Sequence, residues 1–131
     1  FIDELDKKKK TGMIIPLVRG VVEVSRDVLM RTEFDDEFVM PCVAGKKLIV
    51  IGETGDIQPC EILGKSVGNL RDYNYNLPKL LADKKNQELL GWIKETKCKC
   101  TFECAIAANV VWNPTLYPKI LMSSIRNIGK T

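Results

Sequence analysis

The side chains best suited to chemistry in this sequence are thiols. The 131-residue chain holds five cysteines, Cys42, Cys60, Cys98, Cys100 and Cys104, and no histidine. An odd number of thiols cannot all pair within one chain. With no secretory pattern at the start, clustered cysteines point to metal ligation or redox chemistry before structural disulfides. The missing histidine excludes every Cys/His zinc finger and any Ser-His or Cys-His triad within this segment. Whatever is bound here is bound through sulfur.

The thiols fall into two groups. Cys42 and Cys60 bracket a hairpin-like stretch. Residues 46–51 have strand composition, Glu53-Thr54-Gly55-Asp56 reads as a turn in which Gly55 supplies the positive φ, and residues 57–60 return. Antiparallel neighbours lie about 5 Å apart, so the hairpin ends can face both thiols toward one centre. The second group, Cys98-Lys99-Cys100-Thr101-Phe102-Glu103-Cys104, sets three thiols in seven residues. If Cys100 and Cys104 share a helical turn, their i,i+4 spacing puts both sulfurs on one face. Lys97 and Lys99 favour thiolate over thiol. Two sulfurs from each group complete a four-thiolate shell that suits zinc or an iron–sulfur cluster. One cysteine is left over, and a lone cysteine packs as a small hydrophobe.

The elements that must position these thiols are legible in outline. Residues 1–12 form a charged connector whose lysines, residues 7–10, read as solvated linker. A helix is predicted over residues 16–32, although Gly20 and the valines weaken it. An acidic patch, Asp35-Asp36-Glu37, leads to Met40-Pro41-Cys42. Gly68-Asn69-Leu70 opens a polar loop containing Tyr73 and Tyr75. Residues 78–95 form one helix, or two broken near Lys84-Lys85-Asn86, with Leu77, Leu80, Leu81, Leu89, Leu90, Trp92 and Ile93 as buried positions. An apolar stretch over 105–112 ends at Asn113-Pro114, and Thr115 caps a last helix reaching about Ile125. The 45% hydrophobic and 28% charged fractions describe an ordinary globular domain. No apolar run reaches the roughly 20 residues that span a bilayer, and aromatic residues are not interleaved with basic ones, so membrane and nucleic-acid partners are not expected.

Residues 42–60 resemble the opening of the SPASM/twitch auxiliary-cluster domain at the C-terminus of many radical S-adenosylmethionine enzymes. That pattern is a cysteine, nine to fifteen residues, a glycine, four residues and a cysteine. Here twelve residues separate Cys42 from Gly55 and four separate Gly55 from Cys60. Ala44-Gly45, Gly55-Asp56, Pro59-Cys60-Glu61 and Gly68-Asn69-Leu70 fit the surroundings, and the Cys100-to-Cys104 spacing resembles the last pair of the family's second cysteine group. The full pattern has seven cysteines and holds two 4Fe–4S clusters. With five cysteines, and with one residue in place of two between Cys98 and Cys100, the resemblance implies a shortened, single-cluster version. It carries over Cys42, Cys60 and Cys104 as ligands, with Cys98 or Cys100 as the fourth.

The resemblance further implies an α+β fold: a small two-stranded antiparallel hairpin followed by helices, with a cysteine-ligated cluster. Residues 1–40 are then a connector and helix leading from a catalytic barrel, 41–105 the cluster-binding domain and 106–131 a helical tail. The expected function is an auxiliary 4Fe–4S domain of a cytoplasmic radical S-adenosylmethionine enzyme, serving electron transfer or substrate organisation in the modification of a peptide or another biosynthetic substrate. Its partners are the barrel of the same parent chain and that peptide or small molecule. The Cys, three residues, Cys, two residues, Cys motif that holds the SAM-cleaving cluster is absent, so S-adenosylmethionine cleavage belongs to the missing N-terminal part and no residue here is read as catalytic. The alternatives are a structural four-cysteine zinc module in protein interaction and a redox sensor that joins Cys98 or Cys100 to Cys104. Asp56 is read as a turn former, Asn69 as a turn-holding side chain, and Glu61 and Glu103 as solvated or capping. Tyr73, Tyr75, Trp92 and Trp112 are read as packing residues.

Overall fold

Gly20, Val24 and Val28 recur at the four-residue interval that lines one face of a helix, and all three are buried. This stripe explains why a segment of poor intrinsic helix propensity is helical: burial of one face outweighs propensity. In the computed structural model, which describes residues 14–128, it belongs to α1, Ile14–Phe34. The connector and its lysines, residues 1–12, lie outside the described residues. Two-residue and three-residue strands follow, β1 (Val50–Ile51), β2 (Asp56–Gln58) and β3 (Gly68–Asn69). Then come α2 (Leu77–Leu81), α3 (Lys84–Glu95), α4 (Glu103–Val111) and α5 (Tyr117–Ile128), with 3-10 turns at Leu70–Tyr73 and Pro114–Leu116. The architecture is α+β.

The sheet has three antiparallel strands in the order β1-β2-β3, where the sequence predicts a two-stranded hairpin. Ile57 sits opposite Ile51 on one side and Gly68 on the other. β3 was missed because two residues, one of them glycine, show no alternation to read. Asn69 staples it to the hairpin turn: its Nδ2 donates to the Thr54 carbonyl and to Asp56 Oδ1, both at 3.1 Å. The strand predicted over 46–51 also shortens to Val50–Ile51, since Gly45 (φ 76°) turns the chain and its N–H donates to the Leu48 carbonyl at 2.8 Å.

Other boundaries move for local reasons. The long helical segment is two helices, and the break falls at Ala82-Asp83, where Asp83 caps α3 by accepting from the Lys85 N–H at 3.0 Å. Asn86, placed at the break by its polarity, is buried inside α3, with Nδ2 donating to the Leu81 carbonyl at 2.7 Å. Asn113, not Thr115, caps the turn before α5, accepting from the Thr115 N–H at 3.1 Å. Trp92, Trp112 and Tyr75 are exposed, which corrects their reading as packing residues. The two indoles are covered by Lys65 (4.3 Å) and Lys47 (4.7 Å).

Among the described residues the interior forms three clusters. Val24 and Val28 of α1 meet Met40, Ile106, Val110 and Ile120. Ile57, Val67 and Leu80 seal the sheet against α2. Between them Ala44, Cys60 and Ile93 pack with the half-buried Cys42 and Cys98, so the thiols are part of the core. α1 and α5 touch along their length. A Cβ at Gly20 would collide with Ser124 Oγ and lie 2.7 Å from the Ile120 carbonyl. Across the same seam Glu23 accepts from Ser123 Oγ and, at 3.1 Å, from Asn127 Nδ2. No described helix is long and apolar enough to cross a membrane.

Candidate metal centre

Four of the five thiols reach one cavity by four different local devices. Cys42 follows Met40-Pro41 and is fixed by the next residue: the Val43 N–H donates at 2.8 Å to Oδ1 of the buried Asn109 in α4. Gly45 permits the close return of this loop, for a Cβ there would come within 2.9 Å of Leu90 Cδ2. Cys60 is buried one residue beyond Pro59, just past the end of β2. Cys98 is set by the end of α3, where Lys97 takes a left-handed conformation (φ 48°), its N–H donates to Lys94 and the Cys98 N–H reaches back to the Ile93 carbonyl at 3.0 Å. That pair of bonds is a Schellman stop, usually made with glycine at the Lys97 position. Cys100 lies half-buried just before α4.

Cys42, Cys60, Cys98 and Cys100 line a cavity of about 380 Å³ whose wall includes Leu63 and Trp92. Burial pushes the Cys98 thiol up to about 11, reinforced by the neighbouring charges of Cys42, Cys100 and Cys60. Burial also raises Cys100, opposed by the Phe102 N–H, with Cys42 and Cys60 adding to the rise. Cys98 and Cys100 thus neighbour Cys42 and Cys60 in a poorly solvated place, where burial and the other thiols favour the protonated form of both. Among the described residues no three Cys, Asp or Glu side chains are grouped so as to hold a single metal ion.

Cys104 stands apart. α4 begins at Glu103, so Cys100 is outside the helix and the i,i+4 face that would pair it with Cys104 does not form. Cys104 is exposed and does not line the cavity of the other four. All five cysteines are free thiols. Glu61 and Glu103 are exposed, while Asp56 serves the turn, its carboxyl held below the usual range by Thr54 and Asn69.

Two positioning contacts escaped the sequence reading. Lys99, between two cysteines, donates to the Asp36 carbonyl and to its Oδ1 at 2.6 Å, tying the Cys98–Cys100 loop to the segment that leads into Cys42. The acidic patch and the lysine were both visible, but nothing local paired them across 63 positions. Asn109 carried no signal beyond a polar residue in an apolar helix. A groove of about 580 Å³ between α1 and α5 is lined by Leu17, Val21, Tyr117 and other apolar residues, none of them a cysteine. Compared with known protein families, curated proteins and solved structures, the chain finds no match.

Proposed function

We propose that this chain is an auxiliary iron–sulfur domain in which Cys42, Cys60, Cys98 and Cys100 hold one 4Fe–4S cluster. The observation that carries this reading is the convergence of four thiols from three separate stretches of chain on one cavity. The donor set is all sulfur, which suits iron–sulfur clusters and zinc alike. The size of the site favours the cluster: each thiolate would hold its own iron, so the ligands stand around an inorganic core, and the cavity that the four thiols line is about 380 Å³.

With all four irons bound by thiolates, such a cluster would supply one-electron transfer or organise a substrate pocket. The chain's own residues would shield it, for Leu63 and Trp92 wall the site. On this reading Cys104 is the spare thiol, although the family resemblance would count it among the ligands. The parent is a cytoplasmic radical S-adenosylmethionine enzyme whose barrel cleaves S-adenosylmethionine and acts on a peptide or small biosynthetic substrate.

The test is anaerobic purification followed by absorption spectroscopy and iron, sulfide and zinc analysis. Brown protein with a broad band near 400 nm and about four irons per chain supports the cluster. Colourless protein with one tightly held zinc supports the four-cysteine zinc module instead.

A further inference from the structure

Cys42 borders a second cavity. This one, about 330 Å³, also borders Phe38, Pro41, Ile93, Lys46, Lys94 and Lys97. The first three give it an apolar wall, and the last three are exposed lysines on its border. Among the described residues no carboxylate lines it. Neither Lys46 nor Lys94 makes an ion pair or side-chain hydrogen bond with a described residue, whereas Lys99 nearby is neutralised by Asp36. Lys97 lies over the Phe38 ring at 5.9 Å. The volume is at the small end of the range of ligand pockets, roughly 300 to 1,000 Å³.

Three like charges around one hollow repel one another, and among the described residues no carboxylate pairs with Lys46 or Lys94. A ligand that places an anion among them and an apolar body against Phe38 and Ile93 gains from both. We propose that this cavity binds a small organic anion, an apolar body bearing a carboxylate or phosphate, beside Cys42. The proposal stands on this cavity alone. Joined to the cluster reading, it sets a substrate or effector against a ligand-bearing residue. One exposed ion pair contributes little, so the three lysines act together, and binding weakens with salt.

Isothermal titration of the purified chain with phenyl phosphate, benzoate, benzyl alcohol and inorganic phosphate tests this. Phenyl phosphate or benzoate is expected to bind saturably, at least about tenfold more tightly than benzyl alcohol or inorganic phosphate, a difference of about 1.4 kcal/mol. Which of the two binds better assigns the anion as phosphate or carboxylate. K46E combined with K94E is expected to weaken binding at least about tenfold with the unfolding midpoint unchanged, and K46Q with K94Q to weaken it by less. Failure of both aromatic anions, equal binding of benzyl alcohol or of inorganic phosphate, or binding indifferent to the lysine changes overturns the proposal. The two readings fail separately: iron-loaded protein that binds no organic anion refutes this one, and iron-free protein that binds it refutes only the cluster.

Discussion

At the scale of the residue, what distinguishes the four cavity thiols from Cys104 is burial. Serine at Cys42, Cys60, Cys98 or Cys100 removes one thiolate from the shell, and each change is expected to cost most of the bound iron and the absorption near 400 nm. Cys104→Ser is expected to keep both, because its side chain is exposed and outside the cavity. Retention of iron by Cys98→Ser or Cys100→Ser with loss in Cys104→Ser would reverse the assignment. The buried Asn109 acts one step further out. Asn109→Leu keeps the shape but leaves the Val43 N–H without its acceptor, at a cost of about 1 to 3 kcal/mol in denaturant unfolding. Because that N–H adjoins Cys42, reduced iron retention should accompany the lost stability.

At the scale of the element, the ends of helices do as much as their faces. Lys97 holds the left-handed position that stops α3 and turns Cys98 inward. A left-handed residue other than glycine costs about 1 to 2 kcal/mol. Lys97→Gly should therefore be neutral or raise the thermal midpoint, its relief partly offset by the freer unfolded chain. Lys97→Val should lower the midpoint and loosen Cys98. The seam between α1 and α5 depends on Gly20, which has no space for a side chain against Ser124 and Ile120. Gly20→Val should cost about 1 to 3 kcal/mol by overpacking, measured by urea unfolding. Gly20, Ile120 and Ser124 line neither of the cavities that Cys98 and Cys100 border, so a variant that still folds is expected to retain iron as the wild type does.

At the scale of the whole molecule, the N-terminal and C-terminal helices close on each other, and charge helps to set their register. Lys119 of α5 reaches Asp27 of α1 at 2.7 Å, with Arg31 at 3.7 Å. The Lys119 hydrogen bond holds the Asp27 carboxyl below its ordinary value of 3.8, with burial opposing. A depressed carboxylate contributes stability above its unfolded pKa and loses it as pH falls through the folded one. Wild type should thus be more stable than Asp27→Asn at about pH 6, with the difference lost as pH falls through the folded pKa of Asp27, which lies below 3.8, followed by thermal unfolding. High salt should shrink the same difference, because the pair is partly exposed. α1, α4 and α5 contribute Val24, Val28, Ile106, Val110 and Ile120 to one core.

The sequence by itself determined that sulfur is the only soft donor, that a Cys42–Cys60 hairpin turns at Gly55, and roughly where the long helices run. These are local matters: residue type, turn chemistry and apolar period are properties of a few neighbouring positions. Only the tertiary structure decided that Cys98 and Cys100 share a cavity with Cys42 and Cys60 while Cys104 faces outward. Only it paired Lys99 with Asp36, set Asn109 against Val43 and added Gly68-Asn69 to the sheet. Each of those depends on contacts between positions far apart in the chain, and no short window of residues encodes which distant surface will be there to meet it.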